Sequence, residues 1–557
     1  MERVFHKHSI ENVVDAVIQR KIIPDRRFTL DTHEREEVRY TTKKLMDRYF
    51  TVGDIENVAK WCIESDYVSS KWSEQRYLNA VDAARARHIP NQGIVHTAGI
   101  KLEPHKPGKA PRLLVADGDF GQIATILLLG VLERRLFTVY EQESIKGLPK
   151  DEAIDRVIQR TQLGPGYSDF CVMEADGSAF DMSVCLDVRD LVENMPLDKI
   201  QNVIMDVVGE GLASYADADR RTRRKAKFEI RVAPTKHPGT TEHLLLESCR
   251  KSIKVVIDSI RKSGQRGTSS LNWLTSKVLG AWTIYGKNAH KMMDKQSTGA
   301  TDIFGKHRKY LPVYEGDDQL ATVAPAFTKE EVKVLQERWA KLGFGMKIEI
   351  RTRGEPVEFT GWKLLVGDRG PLPGSAVPDI PRQLAHIPFS LSPLAVQAAK
   401  LGDTETLGQV AAASMLSCAY SLAPKAPTLA ATLLRWADSW SPKEMFSHDN
   451  IMRLMPEVYE LVVPEAWKDG GKVLDKQLKR ASKYKHGIRD MITERITQQW
   501  SKHDSVEEEC AFALAHGWCT TADEWQKFLE SLEGITIESD DAAIRTFLPL
   551  KLRTFIL

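Results

Sequence analysis

The segment VYEGDDQL, residues 313–320, constrains the fold of this chain more than any other stretch. Apolar or aromatic residues stand on both sides of a Gly-Asp pair, which predicts a tight β-hairpin with Gly316 and Asp317 at its tip. Asp318 follows directly, so one rigid turn carries two carboxylates. Carboxylate oxygens are the ligands that Mg²⁺ and Mn²⁺ prefer. A solvated Asp-Asp turn is the alternative interpretation of this segment taken alone.

Two upstream segments add polar side chains that suit the same chemistry. In CVMEADGSAFDMSVC, residues 171–185, an apolar run ends at Asp176, and a second acid, Asp181, follows five residues later. In SGQRGTSSLN, residues 263–272, a Gly-rich loop leads into a helix. The polar or flexible candidates in that loop and helix are Ser263, Gly264, Thr268 and Asn272. An ordinary helix start is the alternative for Thr268 and Asn272, because both residue types are common caps.

The order of these three segments resembles motifs A, B and C of the palm of viral RNA-directed RNA polymerases. Their patterns are Asp-x4-Asp, Ser-Gly-x3-Thr-x3-Asn and Gly-Asp-Asp, and every position of each pattern is present here. The chain looks most similar to the tombusvirus-like and flavivirus-like branches of positive-strand RNA viruses. The resemblance implies an α+β fold shaped as a right hand, with fingers, palm and thumb. The palm would hold an antiparallel sheet flanked by helices, and the thumb would be mostly helical.

The resemblance also implies where these subdomains lie. They would be the N-terminal fingers (1–165), the palm strand of motif A (166–195), a fingers insertion (196–254), the remaining palm motifs (255–366), and a helical thumb with the C-terminal region (367–557). A Pro- and Gly-rich segment, residues 367–381, is the clearest linker.

Two basic segments are candidates for contacts with phosphate. Residues 99–122 form a basic loop at the position of motif F, which implies Lys101, Lys109 and Arg112 as ligands of the NTP triphosphate. The run RRTRRKAK, residues 220–227, could follow a nucleic-acid backbone. For both segments an exposed, solvated loop or turn is the alternative.

Downstream of the hairpin, a helix with Thr328 as its N-cap precedes a Gly-rich turn and a strand. This arrangement resembles motif D, which implies Lys347, on the loop after the helix, as the residue that protonates pyrophosphate. Lys341 is the second choice, and a solvent-facing lysine is the alternative. The segment PVEFTGWKLLV, residues 356–366, resembles the short hairpin of motif E.

The implied reaction is template-directed transfer of NMP from an NTP to an RNA 3′-hydroxyl, with release of pyrophosphate, for genome replication and transcription. Asp176, Asp317 and Asp318 would bind two Mg²⁺ or Mn²⁺ ions, and Asp181 with Asn272 would bind the ribose 2′-hydroxyl. Expected partners are the RNA template and product, NTPs, and other viral or host replication proteins that would connect the chain to membranes. The expected location is the host cytoplasm, in a viral replication complex.

Two other function classes stay open at this stage. One is a catalytically idle RNA-binding scaffold of the same fold, and the other is a different two-metal enzyme such as a nuclease. The net charge of +2 neither supports nor opposes RNA binding. Seven scattered cysteines predict free thiols in a reducing compartment, and the longest apolar run, residues 126–132, is too short to span a bilayer.

Overall fold

The computed structural model describes eleven continuous ranges and four single residues of the 557-residue chain. They are 27–65, 96–100, 111–148, 150–208, 219–225, 227–232, 253–258, 267–379, 401–423, 425–440 and 506–533, with Asn12, Ala16, Arg261 and Thr497. Within them the fold mixes helices with sheets whose strand pairings are antiparallel except for one parallel pair. This mixture agrees with the expected α+β class.

The helices of the described ranges are numbered in chain order. They are α1 (Thr32–Tyr49), α2 (Val52–Glu64), α3 (Gly118–Val139), α4 (Lys150–Arg160), α5 (Phe180–Ser183), α6 (Leu186–Val188), α7 (Asn194–Val208), α8 (Thr268–Tyr285), α9 (Lys329–Lys341), α10 (Thr404–Leu422), α11 (Pro427–Trp440), α12 (Val506–Ala515) and α13 (Ala522–Glu533). Two 3₁₀ segments, Glu141–Glu143 and Gly286–Met293, and a π-helical turn, Arg189–Glu193, connect some of them.

The strands are numbered in the same way. They are β1 (His96–Ile100), β2 (Leu113–Ala116), β3 (Cys171–Ser178), β4 (Lys227–Val232), β5 (Ile253–Asp258), β6 (Gly299–Thr301), β7 (His307–Glu315), β8 (Asp318–Ala324), β9 (Gly345–Arg351), β10 (Pro356–Phe359), β11 (Trp362–Leu365) and β12 (Val377–Pro378). They form sheets with the strand orders β2-β1-β4-β5, β10-β11-β12 and β6-β7-β8-β3-β9.

The five-stranded sheet carries most of the candidate residues, and its middle strands are buried on both faces. On β3, Cys171, Met173 and Ala175 face the main apolar core, which also contains α8. Val172 faces a smaller apolar cluster formed with α4 and the β10–β11 hairpin. Because side chains alternate along a strand, Glu174 and Asp176 continue the face of Val172. The strand therefore emerges from its buried part at Asp176, which is exposed.

Helix α8 crosses the main core and is buried from Ser270 to Tyr285. A helix that is buried on all sides normally has apolar residues all round. This one also carries Asn272, Thr275, Ser276 and Lys277, and each of these buried polar side chains needs a partner. The helix begins after Gly267, whose φ of +79° favours glycine at that position.

Helices α10 to α13 form a second apolar cluster, around Met415, Leu416, Leu429 and Trp525. The described residues from 401 onward are helices and short turns, in agreement with a mostly helical C-terminal part. In the described ranges, none of the helices is both long enough and apolar enough to cross a bilayer.

Candidate active site

The segment around Gly316 forms the β-hairpin that the sequence predicts. Strands β7 and β8 pair in antiparallel register up to Glu315 and Asp318, so Gly316 and Asp317 are the two central residues of the turn. Gly316 has a φ of +62°, which fits a turn of type II′, with glycine at its first central position. The turn presents Asp317 at its tip and Asp318 as the first residue of β8.

Asp176 lies next to this turn because β3 is the other neighbour of β8. Ala175 pairs with Gln319, so one further step of the antiparallel register brings Asp176 opposite Asp318. On its other side, Asp176 pairs with Lys347 of β9. Directly opposed residues of an antiparallel sheet share a face, so the two carboxylates and the lysine lie on one side of the sheet.

The electrostatics of the turn also indicate a cluster of acids. Burial, together with the charges of Asp317, Asp176 and Glu315, raises the pKa of Asp318 to about 7. Burial, together with repulsion from Asp181 and Asp176, raises the pKa of Asp317 to about 6. Carboxylates this close to one another hold protons that isolated carboxylates lose, because their negative charges repel. The repulsion within the cluster therefore favours the binding of either protons or metal cations.

Asp181 and Asn272 meet beside Asp317. The side-chain amide of Asn272 donates a 2.8 Å hydrogen bond from Nδ2 to Oδ1 of Asp181, across 91 positions of sequence. The same amide hydrogen-bonds Asp317 and lowers its pKa. Asn272 is buried and lies inside α8, so it is not a cap of that helix. Its Oδ1 has no hydrogen-bond partner among the described residues. This buried oxygen can therefore accept a hydrogen bond from a donor that does not belong to the described residues.

Helix α8 also holds the turn through its hydroxyl side chains. Ser276 donates from Oγ to the carbonyl oxygen of Gly316 at 3.2 Å. Ser269 donates from Oγ to Oε1 of Glu315 at 3.3 Å. Thr268 is the first residue of the helix, at the same end as Ser269. One face of α8 therefore fixes both the turn and the Asp181–Asn272 pair.

A cavity of about 730 Å³ opens on the side of the sheet that carries Asp176 and Asp318. Its lining combines these acids with basic and aromatic side chains of the strands beyond them, including Lys347, Arg351, Phe359 and Lys363. Arg351 donates from Nε to Oε1 of Glu174 at 3.2 Å, which places a positive charge on the cavity wall. The cavity is large enough for a polar ligand the size of a nucleotide.

Lys347 lies on β9, and the expectation that it belongs to a loop is wrong. The strand begins at Gly345, because the backbone after α9 pairs at once with β3 from Ser178 inward. The ammonium of Lys347 lies 2.5 Å from Oε1 of Glu349, and this partner raises the pKa of the lysine. The side chain is 70% exposed, so it can reorient without loss of packing. Lys341 instead pairs with Glu34, away from the cavity.

The basic candidates differ in what the structure describes of them. Arg112 is exposed and precedes β2 directly. Lys101 and Lys109, and likewise Ser263 and Gly264, lie outside the described residues. In the run 220–227, Arg223 is buried and ion-paired with Asp219, and Arg224 pairs with Asp198. These two arginines therefore contribute to the packing of the run against α7. Neither interpretation of the run predicted this role.

No three His, Cys, Asp or Glu side chains of the described residues are arranged to hold a metal ion as they stand. The donor chemistry nevertheless suits a hard divalent cation, since Asp176, Asp317 and Asp318 supply oxygen ligands only. Their mutual repulsion would be relieved by a cation among them. We therefore regard the three acids as a set that fits Mg²⁺ or Mn²⁺.

Sequence reasoning missed several residues that contact the candidate site. Glu315, Ser269 and Ser276 touch or support the turn, and Glu358 adds negative charge near Asp318. The spacing of Ser276, four residues after Asn272 on a helix, could have indicated that it shares the face of Asn272. Glu358 gives no such signal, because its position depends on the packing of β10 beside β3.

Comparison of the chain with models of known protein families gives no match, and comparison with curated proteins gives none either. The resemblance to viral polymerases therefore depends on the sequence motifs alone.

Proposed function

We propose that this protein is an RNA-directed RNA polymerase of an RNA virus, with the right-hand arrangement of fingers, palm and thumb. One observation carries the proposal: acids 141 positions apart in sequence, Asp176 and Asp317, interact electrostatically beside the pair Asp181–Asn272. The acids Asp176 and Asp317 suit metal-assisted phosphoryl transfer, and the pair Asp181–Asn272 suits recognition of a ribose hydroxyl. A solvated Asp-Asp turn would have no reason to lie against such a pair.

Asp176, Asp317 and Asp318 would hold two divalent ions. When bound, these ions lower the pKa of the attacking 3′-hydroxyl and neutralise charge on the transferred phosphate and pyrophosphate. The acids contribute by fixing where that positive charge lies, since Asp176 stands on a strand and the other two on a tight turn. Rigid elements hold such groups more accurately than long loops do.

The chain's own residues would select the sugar and manage the leaving group. The Oδ1 of Asn272, which has no hydrogen-bond partner in the described part of the chain, would accept a hydrogen bond from a ribose 2′-hydroxyl, while its Nδ2 stays fixed on Asp181. A deoxyribose would leave that buried acceptor unsatisfied, which is unfavourable. Lys347, which already lines the cavity, would leave Glu349 and donate its proton to pyrophosphate. Arg112, with Lys101 and Lys109, would bind the triphosphate.

The test is RNA synthesis by the purified full chain with an RNA template, the four NTPs, and Mg²⁺ or Mn²⁺. We expect labelled product complementary to the template, and none from the Asp317→Ala variant. Asp187→Ala is the matched control, because Asp187, six positions after Asp181, is a half-exposed acid that pairs with Arg35 on α1. It should keep wild-type synthesis. Equal synthesis by Asp317→Ala and wild type would refute the assignment of the acids.

The same assay separates the other two functions. Loss of template length without nucleotide incorporation would indicate a nuclease that uses the same acids. Retention of RNA without incorporation, in either metal, would indicate an idle scaffold. Neither a nuclease nor an idle scaffold would make complementary product. A polymerase should make it with all four NTPs and should not make it when one NTP is omitted.

A further inference from the structure

A buried ionic cluster lies behind the candidate site and is not explained by the reaction chemistry. Lys277 of α8 donates from Nζ to Oε2 of Glu143 at 2.5 Å, and both side chains are almost fully buried. Arg160, at the end of α4, donates from Nη2 to Oε1 of the same glutamate at 3.1 Å. We call Glu143, Lys277 and Arg160 the ionic triad.

The triad joins the two elements whose spacing the proposed reaction needs. Trp273 of α8 donates from Nε1 to the carbonyl oxygen of Glu143 at 3.3 Å, so this glutamate contacts the helix at positions 273 and 277. The next residue, Ser144, forms an isolated β-bridge with Tyr314, on the strand that leads into the turn. One short segment thus touches both α8 and the turn-bearing hairpin.

The geometry of α8 makes this connection relevant to the sugar-binding pair. Residues Ser269, Asn272 and Ser276 lie along one helix stripe, which faces Asp181 and the turn. Trp273 and Lys277 form the adjacent stripe, which faces Glu143. A rotation or shift of the helix that released the second stripe would displace Asn272 from the turn by the same movement.

Stability alone is a poor reason for such a cluster. Buried ion pairs lose their hydration, and apolar side chains of similar size often replace them without loss of stability. The rings of Tyr140 and Trp273 already lie beside the Lys277 ammonium, Tyr314 packs against Trp273, and this aromatic surrounding would support an apolar substitute. What an apolar substitute does not reproduce is a directed contact that fixes the rotation of α8.

We propose that the ionic triad is a positioning device that fixes Asn272 relative to the catalytic turn, so that discrimination between ribonucleotides and deoxyribonucleotides depends on it. The inference rests on the proposed polymerase function. The triad acts through α8 and the 143–144 segment and does not contact the substrate.

The experiment replaces both charges of the central pair in the full chain, as Glu143→Gln with Lys277→Met, so that neither member of this pair is left as an unpaired buried charge. The side-chain oxygen of the new glutamine can still accept the hydrogen bond of Arg160, whose side chain is 13% exposed. The matched control is Asp302→Asn with Arg308→Met, which removes an equally buried pair near the opposite end of β7. We expect the triad variant to lose about tenfold in the ratio of kcat/KM for an NTP over its dNTP, equivalent to ~1.4 kcal/mol. The control should keep the wild-type ratio.

A second readout does not require activity. Hydrogen–deuterium exchange of the peptide that covers residues 314–319 should be faster in the triad variant and unchanged in the control. If wild type makes no RNA, the proposed function fails, and the exchange result still decides whether the triad positions the turn. A triad variant with the wild-type sugar ratio, a control that loses the ratio equally, or unchanged exchange in the triad variant would overturn the inference.

Discussion

Replacing Asp318 with asparagine should stabilise this protein in the absence of divalent metal, although it removes a proposed metal ligand. In the folded protein, burial and the neighbouring charges of Asp317 and Asp176 raise the pKa of Asp318 from 3.8 to about 7. The ionised carboxylate is therefore less favourable in the folded protein than in the unfolded chain. Asparagine has nearly the same shape and carries no charge at any pH.

The size of the effect follows from the raised pKa. At about 1.4 kcal/mol per pH unit, the change from 3.8 to about 7 corresponds to a ceiling of about 4 kcal/mol. Asp317 titrates together with Asp318 and both side chains are partly open to solvent, so we expect about half, ~2 kcal/mol, at pH 8. Because the folded state binds the proton more tightly, the stability of wild type should fall from about pH 4 to about pH 7 and then level off.

Thermal unfolding with EDTA at pH 5 and pH 8 measures this effect. The melting midpoint of Asp318→Asn should exceed that of wild type by about 2 °C at pH 8, at ~1 °C per kcal/mol for a chain of 557 residues, and by less at pH 5. Asp47→Asn, at an exposed aspartate of α1, is the control and should show no such dependence on pH. Two results would refute the reasoning. One is a melting midpoint of Asp318→Asn below that of wild type at pH 8, and the other is a difference between the two midpoints that does not change with pH.

Three further outcomes are expected. Mn²⁺ should raise the melting midpoint of wild type at pH 8 and leave that of Asp318→Asn almost unchanged, because only the intact acid cluster gains from the cation; equal shifts would contradict this. Asn272→Ala should raise dNTP use relative to NTP use by ~10–100-fold in incorporation assays, the equivalent of one hydrogen bond to a buried polar group; an unchanged ratio would argue against sugar contact. Gly316→Ala should lower the free energy of unfolding by ~1–2 kcal/mol and abolish RNA synthesis, because the φ of Gly316 is +62°. Gly305→Ala, with a φ of +79° and open space around it, should cost as much and keep synthesis.

The parts of the site that the sequence predicts are those set by neighbours along the chain. A Gly-Asp pair between apolar runs is sufficient to predict the hairpin, because turn geometry and strand alternation are local properties. Thr328 caps α9 as expected, with its side chain accepting from the backbone of Glu331. The apolar run that ends at Asp176 lies within β3, which continues to Ser178 because β9 pairs with it up to that residue.

The partners of α8 could not be predicted in this way. Lys277 and Glu143 are 134 positions apart, and nothing in either local sequence indicates that both are buried. A lysine on a helix is normally exposed, so its charge argues for a solvated face. The position of Lys347 on a strand was missed for a related reason. A Gly-rich turn suggests a loop, whereas the presence of β3 as a pairing partner makes the same residues a strand.

The order of strands in the central sheet explains why the candidate acids meet at all. Asp176 precedes the turn by about 140 positions, and only the insertion of β3 between β8 and β9 brings it beside Asp318. The same insertion places Lys347 on its other side, so that a negative pair and a positive charge share one face of the sheet. Any register shift of β3 by one residue would turn Asp176 to the opposite face, against α8 and the main core. The alternating apolar residues Cys171, Met173 and Ala175, which hold β3 in that register, are therefore as necessary to the acid cluster as the carboxylates themselves.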